Sequence, residues 1–288
     1  MLTENGGQTR PVTQLCLACP PRLPDNGRMN PTLRFPALAK AVAAALLAVA
    51  ATAAARADDP APHAIKASEI TGVIELFTSQ GCSSCPKADA LLKTYAVKSG
   101  VLAISLPVDY WDYLGWKDTF GSAKFSERQR SYAKSRGDGQ VYTPQAVVNG
   151  LTHVNGASAK DIDAALVASE TQLAPNRVPL YFSMDRGNLM IETGPAAEGS
   201  NIKEATIWLA VIQKSADVAV GQGENQGKTL TYTNVVREMT PVGTWTGQPL
   251  RIQLSRAALM RPQMETVAVL LQQGKAGPII AAAVTGLW

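Results

Sequence analysis

The chain has 288 residues, 46% apolar and 17% charged, which excludes a disordered protein and allows one large domain or two of ordinary size. Its formal net charge of +4 sits in the leader: residues 1–57 carry six Lys/Arg against two Asp/Glu, while residues 58–288 carry 21 of each sign. The mature part therefore has no electrostatic case for nucleic acid or an anionic membrane surface.

Residues 1–28 read as an upstream extension, because Met29 starts a secretory signal by itself. Arg34 and Lys40 supply the basic stretch, and an Ala/Leu/Val run follows from Ala41 to Ala55. Ala55-Arg56-Ala57 is a small-x-small cleavage pattern ahead of Asp58-Asp59-Pro60. The apolar run is shorter than the roughly 20 residues that cross a bilayer, so no stable span is expected after cleavage. The segment Met29–Ala57 thus predicts export to a periplasm or beyond, where paired thiols can be oxidised. Of the four cysteines, Cys16 and Cys19 precede the cleavage site and leave with it; Cys82 and Cys85 remain.

Residues 58–69 read as a Pro/Ala-rich arm. Gly72 to Thr78 is an apolar, β-branched run bounded by Ser79-Gln80-Gly81, which predicts a buried strand. From Pro86 to about Lys98, Ala88, Leu91, Leu92 and Tyr95 recur with helical spacing, and Pro86 is tolerated in a first turn. Val101 to Val108 predicts a second strand. An aromatic loop over 109–121 holds Trp111, Asp112 and Trp116, and a polar helix spans about 122–136. A strand over 141–148 runs into Asn149-Gly150, a type I′ hairpin signal, with 151–154 returning. Ser158 and Asp161 sit like a capping pair for a helix to Leu173. The order predicts a mixed sheet flanked by helices over residues 70–174.

Ala174-Pro175-Asn176-Arg177 marks an expected boundary. Beyond it strands dominate, at about 179–184, 188–193, 203–213, 228–238, 249–254, 265–273 and 278–285. That pattern predicts an all-β, sandwich-like second domain over 178–288.

Three readings of Cys82 and Cys85 remain open. A structural disulfide three residues apart closes the shortest useful loop, where cross-linking stabilises least. A metal site needs further ligands; His153 could join both sulfurs around copper or another soft metal. The third reading is thiol–disulfide exchange with protein thiols and disulfides, without a cofactor. A cysteine between a buried strand and a helix N-terminus meets free N–H groups and the positive end of the helix dipole, which favour a nucleophilic thiolate. Cys82 would attack and Cys85 would resolve the mixed disulfide, with a second redox protein recycling the pair. The loop with Trp111, Asp112 and Trp116 either lines a substrate groove or packs locally.

The Cys82-Ser83-Ser84-Cys85 site with Thr143-Pro144 resembles the thioredoxin superfamily. The stretches Glu75–Pro86, Pro107–Asp112 with Gly115-Trp116, Tyr142–Gln145, Gly223-Glu224-Asn225 and Asn234-Val235-Val236 further resemble an uncharacterised family of secreted bacterial proteins with a thioredoxin-like domain. The resemblance implies a thioredoxin-like fold for residues 70–174 and a cis proline at Pro144 facing the cysteines. It also implies that the Thr143 backbone pairs with an incoming peptide, and that Glu75 acts as a proton relay to the resolving thiol. The motif departs from thioredoxin in its Ser-Ser centre, in lacking a preceding Trp, and in placing Glu75 seven residues before Cys82, one more than thioredoxin's spacing. Strand alternation could turn that side chain to the other face.

Overall fold

A computed structural model describes residues 69–287. The expected extension, the expected signal segment Met29–Ala57 and all but the last residue of the expected arm lie outside the described residues, and Cys16 and Cys19 with them.

Strand β1 (Gly72–Thr78) is buried along its whole length. It is followed by α1 (Cys85–Tyr95), β2 (Val101–Pro107), α2 (Ala123–Arg136), β3 (Gln145–Val148), β4 (Thr152–Asn155) and α3 (Ala159–Leu173). β1 runs parallel to β2 and antiparallel to β3, and β3 pairs with β4. Alternation along β1 decides what each face meets. Ile74 and Leu76 pack with Ala88, Leu92 and Tyr95 of α1 and Ile162 of α3, whereas Val73 and Phe77 pack with Phe125 and Tyr132 of α2. Helices thus cover both faces of a mixed sheet.

The cap residues follow the sequence. Ser122 and Ser158 accept from main-chain N–H groups at the starts of α2 and α3, and Gly137 ends α2 with a φ of +77°. Two boundaries differ from expectation. Residues 141–144 are irregular rather than strand, because the chain turns there through a cis Thr143-Pro144 peptide. Helix α1 stops at Tyr95, two residues after Lys93, and the chain turns at 96–100 into β2.

Asn149 and Gly150 both adopt positive φ, 49° and 66°, as the hairpin signal requires. Gly150 has a second reason: a Cβ there would stand 2.2 Å from the Gly277 carbonyl oxygen. Buried Asn149 accepts from the Val73 N–H at 2.8 Å and donates to Ser169 Oγ at 2.9 Å, tying hairpin, sheet and α3 together.

A 3-10 turn, Ala174–Asn176, stands at the expected boundary. Beyond it lie β5 (Leu180–Asp185), β6 (Asn188–Thr193), β7 (Ala205–Ala219), β8 (Thr229–Trp245), β9 (Leu250–Ser255), a single helical turn α4 (Arg256–Leu259), β10 (Thr266–Gln273) and β11 (Ile279–Gly286). These seven strands do not close a sandwich of their own. Four of them extend the first sheet to eight strands, in the order β11-β10-β7-β8-β2-β1-β3-β4, and β5-β6-β9 form a separate three-stranded sheet. The architecture is mixed α/β: one large mixed sheet with flanking helices and a further small sheet. An apolar core joins Leu180, Leu189 and Ile191 of the small sheet to Ile207, Leu209, Val267 and Leu271 of the large one.

The seam between the two halves of the large sheet is β2 against β8, with Ser105 opposite Val235. Side chains complete it: Ser105 Oγ donates to the Thr233 carbonyl and Asn234 Nδ2 to the Ala103 carbonyl, each at 2.9 Å. Asn234 has a φ of +50°, an irregularity that asparagine tolerates better than most residues. Strands β7 and β8, 15 and 17 residues long, form a ribbon whose tip at 220–228 reaches the turn between β1 and α1. Among the described residues no helix is long and apolar enough to cross a membrane.

Candidate functional site

Cys82 and Cys85 are joined by a disulfide, with their Cα atoms 5.4 Å apart. Thr78 ends the strand, a tight turn follows, and Cys85 and Pro86 open α1, where a missing N–H costs no helical bond. The turn is held by its own backbone, with the Cys82 N–H donating to the Ser79 carbonyl and the Cys85 N–H to the Cys82 carbonyl, both at 3.2 Å. Cys82 is 2% exposed and Cys85 fully buried, while Ser83 and Ser84 face outward.

The structure brings Thr143-Pro144 to this pair. Cys82 Sγ lies 3.8 Å from the Thr143 carbonyl oxygen. Trp111 belongs to the same assembly: its indole N–H donates to Thr143 Oγ1 at 2.8 Å, and its Cβ lies against Gly81, where an added Cβ would come within 3.0 Å. Trp116 and Asp112 do other work. Trp116 donates to Gln80 Oε1 at 2.8 Å and packs on Gly221, and Asp112 Oδ1 accepts the Asp118 N–H at 3.0 Å. Both side chains thus brace the loop.

Glu75 is the clearest departure. It projects to the α2 face of β1, away from α1, as the extra residue of spacing allowed. There it is buried in a bidentate pair with Arg128, at 2.7 and 3.1 Å, and accepts a hydrogen bond from Tyr132. Gln272 in turn donates to the Tyr132 hydroxyl at 2.8 Å. This carboxylate belongs to a closed network, so the relay to Cys85 expected of Glu75 has no support in its position.

A different carboxyl stands on the cysteine side. Asp89 lies one helical turn after Cys85 on α1, where i and i+4 side chains are neighbours. It is buried, and neither its oxygens nor Thr78 Oγ1 finds a hydrogen-bond partner among the described residues. Burial pushes its carboxyl up to about 8; the Thr78 hydroxyl, close by but outside hydrogen-bond geometry, pulls it down a little, and Asp118 adds to the rise. Tyr232 packs in the same region and its hydroxyl is also unpartnered. The i+4 spacing from Cys85 is the sequence signal that points to Asp89.

His153 is committed elsewhere. It stands on β4 opposite Val147, its Nε2 lies 3.2 Å from Asp138 and its Nδ1 is 2.9 Å from the Tyr142 hydroxyl. Both ring nitrogens are therefore occupied. Among the described residues no group of three or more His, Cys, Asp or Glu side chains is gathered to hold a metal. The soft-metal alternative built on Cys82, Cys85 and His153 gains no third ligand from the geometry.

Two residues from the β7–β8 tip complete the site. Asn225, buried, donates to the Gln80 carbonyl at 3.0 Å and the Cys82 carbonyl at 2.9 Å, and Glu224 accepts the Ser83 N–H at 2.9 Å. No local rule predicts this contact across more than 140 residues.

Fold and site together define a mixed α/β protein with a covered cysteine pair at the mouth of a helix. The chain belongs to the family described as a protein of unknown function, DUF1223, which matches residues 73–272. A crystal structure of an Agrobacterium tumefaciens protein, a structural-genomics target, is 33% identical with a TM-score of 0.66; the match covers 75% of this chain and 93% of that one. HBP35 of Porphyromonas gingivalis shares the fold at 11% identity and a TM-score of 0.51, over 77% of this chain and 75% of its own. No curated protein matches the chain.

Proposed function

We propose that the protein is an exported thiol–disulfide oxidoreductase, with a thioredoxin-like arrangement over residues 70–174. The observation that carries the reading is the placement of Cys82 and Cys85 in bonding geometry at the start of α1, with the Thr143 carbonyl 3.8 Å from Cys82 Sγ. A backbone carbonyl beside the sulfur offers an acceptor to the N–H of an extended peptide, and this would align a substrate sulfur with Cys82.

In the reducing direction the Cys82 thiolate attacks one sulfur of a substrate disulfide. A Cys82–substrate disulfide forms, the substrate's own disulfide breaks, and its second sulfur leaves as a thiolate that takes up a proton. Cys85 loses its proton and attacks Cys82 Sγ. The Cys82–Cys85 disulfide forms and the substrate sulfur that Cys82 first attacked leaves as a thiolate and is protonated in turn, so the substrate gains the two electrons that the dithiol loses. Asp89, buried one helical turn after Cys85 with an affinity for protons suited to neutral pH, would accept the Cys85 proton. A partner dithiol protein restores the reduced pair; if the net direction is oxidation, a partner disulfide protein instead restores the Cys82–Cys85 disulfide.

The test is Cys85→Ser expressed with its leader in an exporting bacterium. The expected outcome is accumulation of mixed disulfides through Cys82 in the exported fraction, on chains beginning at Asp58. No trapped partners, together with no disulfide exchange between the purified wild-type protein and glutathione, would defeat the enzyme reading. A chain retained in the cytoplasm with its leader intact would defeat the export reading alone.

A further inference from the structure

The turn that carries Cys82 is gripped by a ribbon far downstream, and the grip has a charge. Ser83 stands between Cys82 and Ser84, the N-cap of α1. Its N–H stands one residue ahead of that cap and is the first main-chain donor after Cys82, and a donor beside a sulfur favours its negative form. Here that donor is spent on Glu224 Oε2 at 2.9 Å. The Gln80 N–H is spent in the same way on Asp118 Oδ2 at 2.7 Å. Two carboxyl groups thus bracket the cysteine turn where an activated thiolate ordinarily meets cations or free amides.

The other charges facing the turn are few. The Ser83 hydroxyl and main-chain N–H hold the Glu224 carboxyl below the usual carboxylate range, so it is ionised at neutral pH. Burial pushes the Asp118 carboxyl up, opposed by the N–H groups of Gln80, Phe120 and Gly121. Asp89 lies inward on α1 and Lys87 stands in the first turn of that helix. Lys228 is one side chain farther out, its Nζ on Asn225 Oδ1 at 2.9 Å.

We propose that Glu224 is a positioning residue of the cysteine pair: by taking the Ser83 N–H with a carboxylate it disfavours the Cys82 thiolate, biases the couple toward its disulfide, and so makes the dithiol the stronger reductant. The inference rests on the redox reading above and adds a direction to it. In the exchange with glutathione, one protein dithiol and one glutathione disulfide give one protein disulfide and two glutathione thiols, with two electrons passing to glutathione. Of the protein's forms only the thiolate feels the carboxylate strongly, since disulfide and thiol are neutral. The effect must therefore grow as the pH rises through the thiol's ionisation.

The experiment compares the mature wild-type chain with Glu224→Gln. Thiolate ultraviolet absorbance is followed against pH, and the couple is equilibrated with glutathione at pH 7 and pH 9. Cys82 is expected to ionise at lower pH in the variant. The equilibrium should move toward the dithiol by about threefold at pH 9 and low ionic strength, and by less at pH 7 and in high salt. Glu224 is exposed, so the variant is expected to fold normally; its circular dichroism checks this. Unchanged ionisation and an unchanged equilibrium would overturn the proposal, as would a shift of equal size at both pH values, which marks a purely structural effect. A wild-type pair that fails to exchange with glutathione at all defeats the redox reading and this inference together.

Discussion

Two buried carboxyl groups lie on opposite faces of β1, and the molecule treats them in opposite ways. On the α2 face, Glu75 is matched by Arg128, Tyr132 and, through Tyr132, Gln272. On the α1 face, Asp89 sits among Thr78 and Tyr232 with no hydrogen bond of its own among the described residues. A closed network fixes one arrangement of its parts and resists any change of proton or charge. An open one leaves a proton only loosely decided, which suits a group that must exchange it.

The contrast can be broken most violently on the paired side. Arg128→Met takes the guanidinium from buried Glu75 and leaves it the Tyr132 hydroxyl, and should cost roughly 3–5 kcal/mol, read as a lower denaturant midpoint. Its effect on the cysteine potential should be small, because the network lies across the sheet. On the open side the same kind of surgery should act in reverse. Asp89's carboxyl, near 8 when folded and near 4 when unfolded, holds a proton in the native state that the unfolded chain has lost. Stability is then fully present below about pH 4 and falls as the pH rises toward 8. Asp89→Asn should remove that slope and stabilise the protein by roughly 2–4 kcal/mol at pH 8, measured by denaturation across pH. The same variant should slow disulfide reduction at neutral pH by about tenfold or more, seen in stopped-flow exchange. A variant that loses stability at pH 8, or keeps its full exchange rate, would show that Asp89 is merely a badly placed core residue.

The smallest expected effect concerns His153, which belongs to neither network. Its ring faces Asp138 and Tyr142 near the surface, so His153→Ala should change stability by about 0.5–1 kcal/mol. It should leave copper uptake by the reduced chain unaltered in a titration. A loss of copper binding would revive the soft-metal alternative.

Much of this was legible in the sequence where it is local. β1, the C-x-x-C turn, α2, α3 and the Asn149-Gly150 hairpin follow from periodicity, caps and turn residues, each decided within a few positions. Even the doubt about Glu75 was legible, since strand alternation ties spacing to face. What sequence could not show is set by partners distant along the chain. β7 and β8 look like ordinary sandwich strands until Ser105 and Asn234 knit them onto β2. Glu224 and Asn225 carry no local signal of the contact made when the ribbon delivers them to the Cys82 turn. Asp89 looks like a polar helix residue until the strands above it close off water.

The Asn225 clasp has a consequence for how this protein can be divided. A chain cut at the 3-10 turn near residue 175 would keep both cysteines, Thr143 and Asp89, and by composition would pass for a self-sufficient unit. It would also bare the β2 edge and leave the Gln80 and Cys82 carbonyls without their amide partner. The segment that holds Cys82 and Cys85 is therefore not a cassette that an engineer can lift out. Any transplant of the Cys-Ser-Ser-Cys turn must carry the β7–β8 ribbon with it.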